Sequence, residues 1–119
     1  MLPIMTGATM REPTFLVLTA LAAGPQHGYA VIEDVRRITD GRVTLRAGTL
    51  YAVLDRLRGD GLIEVEREEV VQSRLRRYYQ LTALGERRLA DESARLRQQA
   101  AIADRRLRDR RAPLGNAPA

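Results

Sequence analysis

The stretch from Arg46 to Ile63 constrains this chain more than any other, because it is built to pack on one side and is stripped bare on the other. Leu50, Val53, Leu54 and Leu57 recur at the three-and-four spacing of a helix buried along one face, and Ala47 extends that stripe at its start. At about 100° per residue, Gly48, Ala52, Asp55 and Gly59 fall on the far side. With Gly or Ala at all but Asp55, that face lets a helix lie close in a major groove. The edges carry reach: Thr49 and Arg56 along one, Tyr51 and Arg58 along the other, and Arg46 just ahead of the first turn. Hydroxyl and guanidinium groups so placed suit phosphates and base edges, so the stretch is a candidate DNA recognition helix.

The residues after this helix narrow the fold. Gly59-Asp60-Gly61 ends the helix, and Leu62–Arg67 then alternates, with Ile63, Val65 and Arg67 on one side and Glu64 and Glu66 on the other. Leu75–Leu81 alternates again, which predicts an antiparallel pair across a loop at about residues 69 to 74. The hairpin carries Arg74, Arg76 and Arg77. A spare-faced helix leading into a basic hairpin predicts a winged helix-turn-helix, mainly α with one small β-hairpin. Its helix would enter a major groove, and its wing would touch the neighbouring backbone or minor groove.

The rest of the chain supplies two supporting helices and a long tail helix. A flexible segment is expected over residues 1–10 and a DNA-binding domain over 11–82. Helix one runs from Arg11 or Glu12 to Ala23, nearly continuously apolar, with Pro13 in its first turn where a missing amide costs nothing. Gly24-Pro25 stops it. Helix two runs from His27 to Thr39 with Tyr29, Ile32 and Val35 facing inward, before Asp40-Gly41 turns the chain. Thr82 is placed to cap a final helix over 83–111, and a disordered tail is expected over 112–119. Along that helix Leu89, Ser93, Leu96, Ala100, Ala103 and Leu107 alternate four and three apart, a coiled-coil seam longer than so small a domain can cover. The seam predicts a homodimer.

Four ordered signatures resemble the PadR-like transcriptional regulators: His27-Gly28-Tyr29, Gly48-Thr49-Leu50-Tyr51, Asp60-Gly61-Leu62-Ile63 and Arg76-Arg77-Tyr78-Tyr79-Gln80-Leu81-Thr82. The resemblance implies a dimeric regulator of double-stranded DNA, most often a repressor, whose interface takes a small aromatic or amphipathic effector. In that family the long helix joins the partner's first helix, which brings Phe15 to the dimer interface. One departure stands out. The wing tip reads Val70-Val71-Gln72-Ser73 where the family usually carries glycines. The chain also has no tryptophan, so an effector cannot stack on one here; its pocket would be lined by Leu, Ala, Ile and Phe15, with Arg95 or Arg97 for an anion.

Charge agrees with a polyanionic partner. Twenty basic residues, every one an arginine, face 15 acidic ones, for a net +5. A biased genomic base composition accounts for the missing lysines equally well. Without cysteine there is no disulfide or thiolate chemistry, and a lone His27 offers no His/Cys metal set. Glu64, Glu66, Glu68 and Glu69 point to both faces of a strand, as partners for nearby arginines rather than an acid/base pair. Gly24–Gly28 lacks the lysine and spacing of a phosphate loop. The reading is therefore non-enzymatic, without cofactor or metal. No leader or membrane span is apparent, and a cytoplasmic location is expected. A winged-helix module for a protein partner or an acidic metabolite is the alternative. It would carry large apolar groups on the outer face of helix three, where Gly48, Ala52 and Gly59 stand instead.

Overall fold

The computed structural model describes residues 9–112. Helix α1 (Glu12–Leu21) is the hub, as its nearly all-apolar sequence demands: Leu16, Val17, Leu18, Ala20 and Leu21 are all buried. A two-residue strand β1 (Gln26–His27) comes next, then α2 (Gly28–Ile38), α3 (Ala47–Gly59), β2 (Ile63–Val71), β3 (Arg74–Leu81) and α4 (Ala83–Arg111). The three strands form one antiparallel sheet in the order β1-β3-β2. The stripe Leu50, Val53, Leu54 and Leu57 of α3 closes over Leu18, Val31 and Val35. Each such side chain, fully buried, stabilises by about 1.5–3 kcal/mol at most.

Several expectations are corrected. Met10 is not loose: it packs against the core. The rest of the expected flexible segment, residues 1–8, and the tail beyond 112 lie outside the described residues. Helix α2 buries Gly28, Val31 and Val35 rather than Tyr29, which is 68% exposed, while Ile32 is half-buried on the flank. Spacing of three, four and seven from Gly28 is the true helical face, and a glycine start hid it from an apolar count. Ala47 is exposed because the first helical residue lies beyond the edge of the core. Strand β1 has no signal in the sequence. Two residues have no period of their own; Gln26 and His27 become a strand only because Tyr79 and Tyr78 offer a ladder. Gln26 Nε2 then ties α1 to α2, donating to the Ala20 carbonyl at 2.7 Å and to Asp34 Oδ2 at 3.1 Å.

The wing is longer and tighter than the alternation suggests. β2 and β3 pair as far as Val71 and Arg74, leaving a two-residue turn, Gln72-Ser73, at φ 52° and 67°. Positive φ at both central residues is what a primed hairpin turn requires. Between Val65 and Arg67 the register slips by one residue, so Glu66 has no cross-strand partner. A one-residue bulge reverses the face of every side chain beyond it. Arg67 therefore leaves the side of Ile63 and Val65 and lies over the Tyr78 ring, 3.8 Å from its centroid.

Helix α4 is fixed only at its root. Thr82 caps it, accepting from the Gly85 amide at 3.0 Å while donating to the Gly61 carbonyl at 2.7 Å. Gly85 rests on the Leu62 backbone so closely that a Cβ there would overlap the Leu62 carbonyl. Leu89 packs against the core of its own domain, as does Phe15, so both serve the monomer before any partner. From Leu96 to Ala112 every residue is exposed. The helix thus projects, and the molecule reaches 75 Å along its longest axis. No helix among the described residues is long and apolar enough to cross a membrane.

Candidate nucleic-acid interface

Helix α3 presents the spare face that its sequence promises. A Cβ on Gly48 or Gly59 would meet nothing within 4 Å. Ala52 and Asp55 are exposed between them. At its start, Arg46 is the N-cap residue but makes no side-chain cap. Arginine has no acceptor atom to offer, so the first amides of α3 keep their hydrogen-bonding capacity and the positive end of the helix dipole faces outward.

Beside this face runs a groove of about 700 Å³, lined by His27, Tyr29, Tyr51, Asp55, Arg74 and Arg76 among others. It exists because β1 covers only Tyr78 and Tyr79 of β3, leaving the edge nearer the wing tip open. Gly28 narrows its inner wall: the Tyr51 hydroxyl lies 2.5 Å from where a Cβ on Gly28 would stand. Any side chain at Gly28 would push Tyr51 out of the groove. Both tyrosines are exposed, and both hydroxyls can donate to an oxyanion.

Charge pairing decides which arginines remain for a ligand. On the wing, Arg77 Nε donates to Glu68 Oε2 at 2.9 Å, and Arg67 Nη1 donates to Glu66 Oε1 at 2.9 Å. The Tyr78 hydroxyl donates to Glu69 at 2.8 Å, and Gln80 to Glu64 at 2.9 Å. The acidic run is thus engaged by neighbours within the wing. Among the described residues, neither Arg74 nor Arg76 has a carboxylate partner. Arg56 also turns aside: its Nη2 donates to Thr14 Oγ1 at 2.9 Å, on the α1 side of α3 and away from the groove.

His27 fastens the wing to α2. Its Nδ1 accepts from the Ala30 amide at 3.2 Å, capping α2, while its ring meets Tyr78 edge-on at 5.3 Å. Burial and the nearby Arg76 charge hold its pKa below the usual 6.5, against a smaller opposing pull from Glu69. Burial and the Arg76 charge both favour the neutral imidazole, the form whose Nδ1 can accept.

Of the residues expected to face DNA, Arg46, Thr49, Tyr51 and Arg58 are exposed along α3, and Arg74, Arg76 and Arg77 line the groove from the wing. Arg56 and Arg77 are the two that the structure gives other partners. Tyr29 is the addition. Its aromatic ring suggests a core position, although its place beside the helix-starting Gly28 puts it on the outer flank. Of the expected dimer residues, Leu96, Ala100, Ala103 and Leu107 are exposed on the projecting part of α4, and Ser93 is half-buried where Arg97 Nη1 bonds its hydroxyl at 3.0 Å.

Three helices with a spare third helix, flanked by a basic hairpin, make this a winged helix-turn-helix of the DNA-binding type. The chain belongs to the transcriptional regulator PadR-like family, whose model matches residues 17–91. A PadR family transcriptional regulator from Eggerthella lenta superposes with a TM-score of 0.64 at 27% identity, over 80% of this chain and 83% of its own. A PadR family regulator from Clostridium difficile gives 0.68 at 24% identity, over 79% and 96%. PadR of Bacillus subtilis, solved in complex with operator DNA, gives 0.61 at 22% identity, over 68% of this chain and 47% of its own. A relative from Lysinibacillus sphaericus, described as an uncharacterized protein, is 28% identical over 76 residues, 64% of this chain and 70% of its own.

Proposed function

We propose that this transcriptional regulator works as a homodimeric repressor, seating two α3 helices and two wings on a palindromic operator. The observation that carries this is the groove between α2, α3 and β3, where Arg74 and Arg76 converge with two tyrosine hydroxyls and lack carboxylate partners among the described residues. That set matches a phosphodiester backbone. The uncapped start of α3 supplies further amides, and Thr49 and Arg58 flank a face small enough to approach base edges. Bacillus subtilis PadR, a neighbour of the same fold, is solved in complex with operator DNA, which supports DNA as the partner proposed here.

Dimerisation is assigned to α4, whose exposed Leu96, Ile102 and Leu107 alternate with Ala100 and Ala103 along a stretch in which every described residue is exposed. Two-fold symmetry would set the two recognition helices roughly 34 Å apart, one turn of DNA. A small aromatic or amphipathic effector is expected to act at that contact.

The test is a mobility-shift titration on the DNA upstream of the chain's own gene and on random duplex. Exchanging both Arg74 and Arg76 for Ala should weaken binding to both duplexes and flatten the dependence of log K on log salt by about two units, one per lost phosphate contact. A loss confined to the upstream DNA would contradict a backbone role. Full retention on both would remove the wing from the interface.

A further inference from the structure

On the opposite side of α3 a second cleft opens, of about 460 Å³, where the start of α1, the end of α3 and the first turns of α4 meet. Its floor is apolar, formed by the buried Leu57 and Leu62. Three guanidiniums line it, one from each element: Arg11 from just ahead of α1, Arg56 from α3 and Arg88 from α4. Among the described residues none of the three is in a salt bridge. Asp60 is the one carboxylate in the lining. Three positive charges drawn together by separate elements, against one negative, repel each other unless an anion joins them.

The surroundings hold this arrangement in place. Arg56 is steadied by the buried Thr14 hydroxyl, which uses one of its five donors and leaves the rest. Glu92, one turn beyond Arg88, is buried and already engaged by Arg95. The Met10 amide also helps to hold its carboxyl below the ordinary range, which anchors the residue next to Arg11. The hydrogen bonds of Glu92 go to Arg95 and Met10, while the Arg88 charge is the weakest of the influences on it, so Arg88 keeps its own donors for a ligand.

We propose that this cleft binds the phosphate group of a small phosphomonoester whose apolar or sugar body rests on Leu57 and Leu62. Two features select that chemistry. The lining carries a net charge of +2, from Arg11, Arg56 and Arg88 less Asp60, which matches a dianion better than a carboxylate. Guanidinium forks from three directions also suit the tetrahedral array of phosphate oxygens, and the volume lies within the usual range for small-molecule sites. The site shares no lining residue with the groove beside the wing, although α3 contributes to both.

The test uses the full-length chain without DNA, so its outcome does not depend on the regulator reading. Phenyl phosphate is titrated calorimetrically at about pH 8, where it is a dianion, with benzoate and inorganic phosphate as comparators at constant ionic strength. Expected is saturable binding of one phenyl phosphate per chain, tighter than benzoate, and weakened about tenfold or more by Arg88→Ala. Arg76→Ala, in the wing groove, should leave it unchanged. If Arg88→Ala fails to fold by circular dichroism, Arg11→Ala at an exposed position carries the same expectation. Absence of saturation up to about 10 mM, equal affinity for benzoate, or an equal loss in Arg76→Ala would overturn the proposal.

Discussion

The contact between Gly85 and Leu62 lets two rules be set against each other with opposite signs. Helix propensity alone says that Gly85→Ala, within the first turn of α4, should stabilise by up to about 1 kcal/mol. The tertiary contact says otherwise, because the new methyl would overlap the Leu62 carbonyl, a backbone atom that cannot swing aside. That same carbonyl accepts the Thr82 amide at 3.1 Å, and Leu62 is buried, so α4 can yield only by loosening its own root. Overpacking of this kind costs about 1–3 kcal/mol. Weakening the Thr82 bond adds about 0.5–1.5 kcal/mol. Less the propensity gain, the net loss is about 1–3 kcal/mol, which lowers Tm by about 5–15 °C in a domain of this size. Thermal unfolding followed by circular dichroism at one fixed protein concentration reads it directly. Gly48→Ala is the control, since its Cβ meets nothing within 4 Å and should hold Tm or raise it slightly. A Tm for Gly85→Ala at or above the parent's would refute the argument that this glycine is required by packing.

The same geometry sets three other outcomes. Because the folded-state pKa of His27 is depressed, its contribution to stability should be complete above about pH 6.5 and lost as pH falls through the folded value; His27→Asn, which keeps a capping acceptor, should flatten that part of the stability profile, and an unchanged slope would exclude the cap as its source. Ser73→Gly relieves a side chain held at φ 67°, about 1–2 kcal/mol of left-handed strain less about 0.5–1 kcal/mol of glycine entropy, and should stabilise the wing turn by up to about 1 kcal/mol, seen as slower amide exchange in β2 and β3; faster exchange would contradict it. Ala100→Asp should give monomers in sedimentation and lose operator binding together, since it would bury like charges where two α4 helices meet; dimers that keep full affinity would move the interface elsewhere.

Periodicity was enough for α3 but not for α2, whose buried face starts at a glycine that an apolar count passes over. The α3 stripe, its small outer face and the long helix beginning at Thr82 could be read from spacing, because a helix has one buried side and one capping geometry. Strand alternation predicted the wing hairpin, and the family signatures agreed with it. Tertiary structure decided what spacing cannot encode. The bulge at Glu66 turned Arg67 over, because a strand's faces are counted from its partner's register and not from its own sequence. β1 exists only through β3. Arg56 and Arg77 were drawn to Thr14 and Glu68, partners 42 and 9 residues away, while Arg74 and Arg76, alike in sequence, have no carboxylate partner among the described residues. Gly85 was one helix residue among many until α4 was laid on Leu62. In each case the deciding atom belongs to another element, and the distance to it is set only when the chain has closed around α1.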